Sequence, residues 1–276
     1  MLREPELQPE GASADDPSVG SSSGNSASGN KRPRKVSHRR NVITSYLGAI
    51  SIAAVSFLIT PVLTHQLGIL RYGVWALIGS LIPFLEILEL GFASATMAFV
   101  SRHLELEDDD SVTSTLNTSF LCLSVLGIVA FAGVVVFAYF LPDIIPTIPK
   151  SLVGQAQFLL LLLAFDMALS IPMDTFGGAI SALQRFDLLN YSLMAVTISQ
   201  AIAWVIVLYL HGGLVALGIV TVAISLVGQF SRLVIAHRLL PWFRLSLRRF
   251  DRAILRAFTA ATGWYSLAQI LSLIHI

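Results

Sequence analysis

Four acidic residues lie within long apolar segments of this sequence: Glu86, Glu89, Asp166 and Asp174. An ionised side chain at the centre of a bilayer costs ~2.5–3.5 kcal/mol, so each of these carboxylates requires a partner or a function. Glu86 and Glu89 lie three residues apart and therefore share one face of a helix. Two carboxyl groups this close in a low dielectric do not both ionise easily, which is typical of proton acceptors and of polar cavity walls.

The sequence around this glutamate pair indicates an interrupted helix. Pro83 removes one helix hydrogen bond and clashes with the carbonyl group of Gly79, which favours a kink, and Gly91 follows the pair. We therefore expect Glu86 and Glu89 to line a water-filled cavity of the kind that transporters build from broken helices. The alternative interpretation is a protonated Glu that donates a hydrogen bond to Ser or Thr on a neighbouring helix.

Asp166 and Asp174 flank Pro172 in another apolar segment. A separation of eight residues brings both side chains to roughly the same helix face, unless the proline disturbs the helix. Asp174 lies closer to the end of the segment, where a carboxylate is ordinary at the membrane interface. We therefore predict that Asp166, rather than Asp174, belongs to a substrate or ion pathway.

Seven apolar segments position these carboxylates, and each is about long enough to cross a membrane. A helix needs ~20 apolar residues to cross ~30 Å of hydrocarbon, and lipid offers no partners for backbone groups outside a helix. The sequence is 55% hydrophobic and only 13% charged, whereas soluble domains have ~25% charged residues. The expected fold class is therefore all-α, a polytopic transmembrane helix bundle. Its predicted spans are about 42–64, 73–101, 114–141, 152–181, 189–210, 213–236 and 254–275.

Positive charge is distributed unevenly between the two sides of this predicted bundle. All but two of the 18 Lys and Arg residues fall on the side of the N-terminus, the exceptions being Arg71 and Lys150. The positive-inside rule makes that side cytoplasmic. We predict a disordered cytoplasmic tail over 1–40 and a transmembrane domain over 41–276. The basic cluster at 31–40 also fits nucleic-acid binding, but before an apolar span it indicates a membrane flank, so no nucleic-acid partner is expected.

The sequence lacks the signatures of enzymes, cofactor sites and metal sites. Its single cysteine, Cys122, lies in an apolar segment and has no metal-ligand spacing. There is no phosphate-binding glycine loop and no nucleophile elbow. The acidic run at 105–110 is interpreted as a solvated loop rather than a metal site. No enzyme activity and no cofactor are therefore expected.

The connection between the sixth and seventh predicted spans, at 239–251, mixes aromatic and basic residues. Such a segment places apolar side chains at the headgroup boundary and Arg residues over anionic lipid. An ordinary basic cytoplasmic loop explains the composition equally well. Membrane lipids are thus an expected partner, and this segment is one candidate for contacting them.

Four segments, in chain order, share the pattern of one known membrane protein family. A Pro…Leu-Gly…Tyr-Gly hairpin occupies 60–73, and an acidic residue precedes Gly in the run at 84–93, which Arg102 follows. A Gln-Arg-Phe…Asn connection occupies 182–190, and an Arg-Arg-Phe-Asp entry into the last span lies within 247–264. Together they resemble the polysaccharide-biosynthesis, or lipid-linked oligosaccharide flippase, family of the multidrug/oligosaccharidyl-lipid/polysaccharide exporter superfamily.

This resemblance implies two helical lobes around a central cavity that alternately faces each side of the membrane, with this chain as the N-terminal lobe. It also implies translocation of an undecaprenyl-pyrophosphate-linked oligosaccharide across a bacterial inner membrane, with polysaccharide assembly proteins as further partners. A family flippase is expected to present cations to the pyrophosphate, yet no Lys or Arg falls at a predicted midplane. Arg102, Arg185 and Arg232 near the cytoplasmic mouth are candidates for first contact, although all three also fit as topology-setting cations.

Other functions remain open at the level of sequence. The paired glutamates slightly favour an ion-coupled multidrug or metabolite exporter of the same superfamily. A non-transporting membrane scaffold and a membrane-embedded glycan polymerase or glycosyltransferase are further alternatives, although the predicted outer connections are short for such enzymes. The sequence ends at Ile276 inside the seventh predicted span, and 272–276 is typical of a translated sequencing adapter. We therefore expect an inactive fragment unless a second chain supplies the other lobe.

Overall fold

The computed structural model describes the backbone of residues 38–86 and 92–246, together with 251, 252, 254–256, 260, 263 and 271. Side chains are described for the same residues except 38 and 84–86. Within 38–86 and 92–246 the chain forms seven helices and no strand. They are α1 (His38–Leu67), α2 (Ile69–Glu86), α3 (Phe92–Glu105), α4 (Asp109–Ile144), α5 (Val153–Ala182), α6 (Phe186–Tyr209) and α7 (Leu214–Leu239).

Five of these helices, α1 and α4 to α7, are long and apolar enough to cross a membrane. Helix α2 contains a shorter apolar stretch, Ile69–Pro83. The long helices carry apolar side chains on their outer faces as well as inside the bundle, and Phe57 is 82% exposed while Val227 is 69% exposed. Exposing such apolar surfaces to water is energetically unfavourable, whereas the hydrocarbon of a membrane solvates them without cost. The pattern is that of a multi-pass membrane protein.

Helix α5 lies at the centre of the bundle and contacts α2, α3, α4, α6 and α7. It continues through Pro172 without a break. A chain of short hydrogen bonds between small polar side chains joins α3, α4 and α5: Thr96 and Ser119 are 2.8 Å apart, and Ser119 and Thr175 are 3.2 Å apart. All three side chains are buried, so their hydrogen bonds satisfy polar groups that would otherwise be unpaired in an apolar interior.

Polar contacts join several helix ends at one end of the bundle. The Ser101 hydroxyl donates to the Ala182 carbonyl at 3.5 Å, which joins the ends of α3 and α5. The Asn190 amide donates to the Ser45 hydroxyl at 3.0 Å, which joins the starts of α6 and α1. We call this the basic end, because the described arginines other than Arg71 lie at or near it. They are Arg39, Arg40, Arg102, Arg185, Arg232, Arg238, Arg244, Arg252 and Arg256.

The prediction of an all-α transmembrane bundle is confirmed. The predicted spans 42–64, 114–141, 152–181, 189–210 and 213–236 correspond to α1, α4, α5, α6 and α7, with boundaries that differ by a few residues. The predicted span 73–101 covers much of α2 and α3, and residues 87–91 between them lie outside the described residues. Most of the predicted span 254–275 and almost all of the predicted tail, 1–40, also lie outside them, so the predicted division into tail and membrane domain stays a prediction.

Candidate functional site

A row of polar side chains runs along the interface between α5 and α7. On α5 it contains Asp166 and Asp174, and on α7 it contains Ser225, Gln229 and Arg232. The two aspartates both contact α7 because eight residues of continuous helix bring them to similar angular positions. We call these five residues the polar strip.

The strongest contact in the polar strip is an ion pair between helices. The Arg232 guanidinium donates from Nη1 to the Asp174 carboxylate at 2.7 Å. The side chains of Arg232 and Asp174 are 28% and 34% exposed, so the pair is neither buried in the core nor freely solvated. A charge-assisted hydrogen bond of this length holds α5 and α7 together while leaving parts of both charged groups accessible.

The ion pair lies in the wall of a cavity of 460 Å³, which we call the inter-helix cavity. Hydroxyl and amide side chains of four helices share the wall with apolar ones, so the cavity offers hydrogen-bond donors and acceptors as well as an apolar surface. The lining residues are Ala93, Ser94 and Met97 of α3; Asp174, Gly177, Gly178 and Ser181 of α5; Leu189, Asn190, Ser192, Leu193 and Val196 of α6; and Ser225, Gly228 and Arg232 of α7.

Asp166 is linked to this cavity indirectly. The Gln229 amide nitrogen Nε2 donates to the Asp166 carboxylate at 3.1 Å and lies 3.1 Å from the Ser225 hydroxyl. Gln229 is only 3% exposed, whereas Ser225 lines the cavity. Gln229 therefore connects a carboxylate within α5 to a hydroxyl group that a bound molecule can reach.

A second charged cluster joins α1 to the start of α6. Asp187 is fully buried and accepts hydrogen bonds from Arg40 and from Arg185, the latter from Nε at 3.1 Å. The Asn41 amide donates to the Gln184 carbonyl at 3.0 Å beside it. Two cations around one carboxylate give a fixed junction between α1 and the α5–α6 connection, since the buried charge is neutralised only in this arrangement.

The structure places the predicted site residues in different surroundings. Asp166 lies beside the inter-helix cavity, as described above, and Arg185 is engaged by Asp187. Arg102 is exposed in the last turn of α3 and is not among the described residues that line the cavity. Glu86 is the last residue of α2, and its side chain lies outside the described residues, as does the whole of Glu89.

The sequence prediction identified no role for Asp187, and it named Arg232 as a candidate for first contact with substrate without foreseeing its acidic partner. Asp174, interpreted from the sequence as a carboxylate near a helix end, is instead paired with Arg232 in the cavity wall. The sequence did contain an indication of this pair, because Asp174 and Arg232 both fall toward the cytoplasmic side of their predicted spans.

No cluster of His, Cys, Asp and Glu with the arrangement of a metal site occurs within the part of the chain that the structure describes. A second cavity of 610 Å³ lies beside α1 and shares Met97 with the inter-helix cavity. Its wall includes Ser45 and Asn41, whose partners Asn190 and Gln184 belong to the α5–α6 region. Met97 therefore lines two cavities that both present polar side chains.

Comparisons with known proteins support the fold. No protein-family model matches the chain, and no curated protein sequence matches it. The chain is similar to the crystal structure of a MATE mutant, with a TM-score of 0.60 and 17% sequence identity over 84% of this chain. The likeness covers 52% of the MATE chain, so the present chain spans about half the length of that structure. At this identity the likeness shows the fold alone, which is that of part of the MATE structure.

Proposed function

We propose that this chain forms one lobe of a membrane exporter and that cargo passes along the inter-helix cavity. The fold likeness to a MATE structure supports an exporter architecture, and the chain spans about half of that structure. Accordingly, the proposed activity belongs to a complete transporter in which this lobe faces a second one. The second lobe comes from elsewhere in the gene product or from another chain.

The observation that carries the proposal is the Arg232–Asp174 ion pair in the cavity wall. Charged side chains within membrane-spanning helices are costly and typically mark substrate or ion pathways. This pair belongs to α5 and α7, two of the helices long enough to cross a membrane. Its partial exposure means that a solute in the cavity competes with Asp174 for the guanidinium, or with Arg232 for the carboxylate.

The cargo that we propose is a lipid-linked oligosaccharide whose pyrophosphate is recognised by Arg232. A guanidinium binds phosphate oxygens through two parallel hydrogen bonds, which makes arginine suited to this group. The hydroxyl groups of Ser181, Ser192 and Ser225 and the amide of Asn190 are suited to sugar hydroxyls. A pyrophosphate and a sugar cannot cross hydrocarbon unaided, so a polar route between helices is required. The sequence resemblance to the flippase family points to the same cargo.

We further propose that the basic end faces the cytoplasm of a bacterial cell and that the protein resides in the inner membrane. The described arginines other than Arg71 lie at or near this end of the helices. Cations are retained on the cytoplasmic side of membrane proteins, and this asymmetry sets their orientation. Cargo would then enter the cavity from the cytoplasmic leaflet.

An ion-coupled multidrug or metabolite exporter is the second candidate, and one contact favours it. Asp166 lies within α5 and accepts a hydrogen bond from the buried Gln229 amide, which in turn lies next to Ser225 in the cavity wall. A carboxylate in such a position is suited to taking up a proton or a cation during transport. Apolar lining residues such as Leu189, Leu193 and Val196 also fit an amphipathic drug.

The test uses the complete gene product that contains this chain, reconstituted into liposomes. One assay follows a polyprenyl-pyrophosphate analogue with a fluorescent sugar, and its accessibility to a membrane-impermeant reductant reports translocation. Arg232→Gln is expected to lower the rate at least about tenfold, because it removes the phosphate-binding group. Arg232→Lys keeps the charge without the planar fork and should have an intermediate effect. Arg71→Gln, an exposed cation at the opposite end, is the matched control and should leave the rate unchanged.

A parallel assay follows the efflux of a fluorescent cationic drug at several external pH values. Drug efflux without sugar-lipid translocation would replace the first candidate by the second. In that case Asp166→Asn should abolish the pH dependence of efflux. Translocation of the sugar-lipid analogue at the wild-type rate in Arg232→Gln would contradict the proposed role of Arg232.

A further inference from the structure

A third cavity, of 610 Å³, lies at the basic end between α4, α5, α7 and the segment that follows α7. We call it the aromatic cavity. Its interior is formed by apolar side chains that include Phe120, Phe176, Phe230 and Phe243. The rings of Phe120 and Phe176 lie 5.9 Å apart, and those of Phe176 and Phe243 lie 6.2 Å apart. Its volume is within the range of small-molecule pockets, and aromatic rings at these distances form a stable wall.

Two exposed arginines are part of the same cavity. Arg238 belongs to the last turn of α7, and Arg244 belongs to the segment after it. Within the described residues neither guanidinium has an acidic partner, whereas Arg40, Arg185 and Arg232 each have one. The cavity therefore combines an apolar interior with two cations that are available to an anion.

Hydrogen bonds from a side chain of α4 hold the backbone that carries Arg244 in place. The side chain of Asn117, a buried residue of α4, donates to the Arg244 carbonyl at 3.3 Å and accepts from the Ser246 backbone N–H at 2.7 Å. The Phe243 side chain is 4% exposed and packs into the apolar core at this end. These contacts fix the segment, so the position of the second arginine is built into the fold.

Part of the cavity wall belongs to an exposed apolar face of α7. Phe230 lines the cavity and is 66% exposed, and its neighbour Val227 is 69% exposed. Arg238 lies eight residues further along α7, which is ~12 Å along the helix axis. An extended molecule with an apolar end near Phe230 and an anionic end near Arg238 matches this arrangement, and a phospholipid at the membrane surface has that form.

We propose that the aromatic cavity binds one anionic phospholipid, with an acyl chain among the phenylalanines and the phosphate group on Arg238 and Arg244. The occupant is a bilayer lipid rather than a free phosphate, because most of the lining is apolar. It is also separate from the inter-helix cavity, whose described lining residues do not overlap with those of the aromatic cavity. The site holds its lipid whichever cargo the transporter carries.

The test measures thermal unfolding of the purified chain in detergent with increasing phosphatidylglycerol, phosphatidylcholine or inorganic phosphate. Phosphatidylglycerol should raise the Tm in a concentration-dependent manner, because a ligand that binds only the folded state stabilises it. The double variant R238Q/R244Q should raise the apparent Kd for phosphatidylglycerol about 30-fold. R71Q/K150Q removes two cations at the opposite end and is the matched control, with an unchanged Kd. Val234→Trp keeps both arginines but fills the cavity, and it should also weaken binding.

A second measurement needs no variant. Trp242 lies next to Phe243 in the segment after α7, so a lipid in the aromatic cavity lies close to its indole ring. Acyl chains brominated near the headgroup should therefore quench tryptophan fluorescence more strongly in phosphatidylglycerol than in phosphatidylcholine. Equal quenching by the two lipids would overturn the proposal. So would equal stabilisation by phosphatidylcholine, an effect of inorganic phosphate as large as that of phosphatidylglycerol, or an unchanged Kd in R238Q/R244Q.

Discussion

Two of the helices that contact α5, namely α4 and α7, pack against it in opposite ways. On the α4 side, a Cβ atom added to Gly127 would lie 2.6 Å from the carbonyl oxygen of Ala168, so the two backbones are in direct contact. The surrounding side chains, such as Leu123, Ala130 and Ile171, are apolar and buried. On the α7 side the helices are joined through the polar strip, and the inter-helix cavity of 460 Å³ opens beside it.

This difference separates a part of the bundle that is fixed from a part that can change. Backbones in direct contact have essentially one arrangement, because small residues allow the approach and no side chain can rotate to accommodate a shift. Long polar side chains can exchange partners with each other or with a bound solute, so movement of α7 against α5 costs less. We therefore expect changes at the α4–α5 contact to affect folding, and changes at the α5–α7 contact to affect the proposed transport activity.

The largest effect is expected for Gly127→Ala. The added methyl group would lie 2.6 Å from a backbone oxygen, which cannot move without shifting α4 or α5. We expect a loss of unfolding free energy near the upper end of the ~1–3 kcal/mol that overpacking costs, measured by denaturant titration in mixed micelles. Gly133→Ala on the same helix is the matched control, since nothing lies within 4 Å of its added Cβ. Equal stabilities of the two variants would mean that α4 and α5 are not in rigid contact.

A smaller loss of unfolding free energy is expected for Gln229→Leu, which tests the side of α5 that contacts α7 through the polar strip. The substitution removes the hydrogen bonds to Asp166 and Ser225 and leaves the Asp166 carboxylate without its amide donor. An unsatisfied polar group of this kind costs about 1–2 kcal/mol. Gln229→Glu keeps the shape and can share a proton with Asp166, so it should become less destabilising as the pH falls. A loss in Gln229→Leu as large as in Gly127→Ala would remove the distinction between the two contacts.

Gly218→Ala sharpens the comparison further, because Gly218 lies on α7 and contacts α5. Its added Cβ would lie 2.6 Å from Cδ1 of Leu159 and 3.1 Å from Cδ2 of Leu162. Both atoms are ends of flexible side chains that can rotate away, and alanine gains up to ~1 kcal/mol of helix propensity over glycine. We expect a change in unfolding free energy of less than about 1 kcal/mol. A loss comparable to that of Gly127→Ala would show that α7 is held against α5 as rigidly as α4 is.

The sequence predicted α4, α5 and α7, the helices that form these two contacts, but it predicted only part of the polar strip. The spacing of Asp166 and Asp174 indicated a common face, and both aspartates contact α7 in a helix that continues through Pro172. Their pairing with Gln229 and Arg232 was not predicted, although Arg232 was a candidate for first contact with substrate. The partners are 63 and 58 positions apart in the sequence, with α6 between them, and the pairing depends on how α5 and α7 pack.

The junction at Asp187 shows the same limit. The sequence prediction treated Arg185 as a candidate for first contact with substrate, whereas in the structure it bonds Asp187 together with Arg40, 147 residues before that aspartate. A local pattern reports the charge of a segment but not which distant segment folds against it. Glu86 and Glu89 remain sequence predictions, because their side chains lie outside the described residues.

The smallest expected effect concerns the start of α4. Asp108 caps this helix by accepting from the Ser111 backbone N–H at 2.9 Å, and its hydrogen bonds with the Ser111 side chain and backbone lower the pKa of Asp108 below its ordinary value of 3.8. A carboxyl group whose pKa is lowered by folding contributes its full stabilisation above pH 3.8 and loses it as the pH falls through the folded value. The Tm of the wild type should therefore decline more steeply below pH 3.8 than that of Asp108→Asn, in which the cap is retained without titrating.

The comparison between wild type and Asp108→Asn isolates the cap, since every other carboxylate titrates in both proteins. The difference should be small, because Asp108 is exposed and its hydrogen bond competes with water. Curves that stay parallel through the acid range would mean that the charge of the cap contributes nothing and that α4 is held by packing and by its uncharged hydrogen bonds. That outcome would strengthen the contrast between the two neighbours of α5, because the fixed side would then depend on backbone contact without any help from charge.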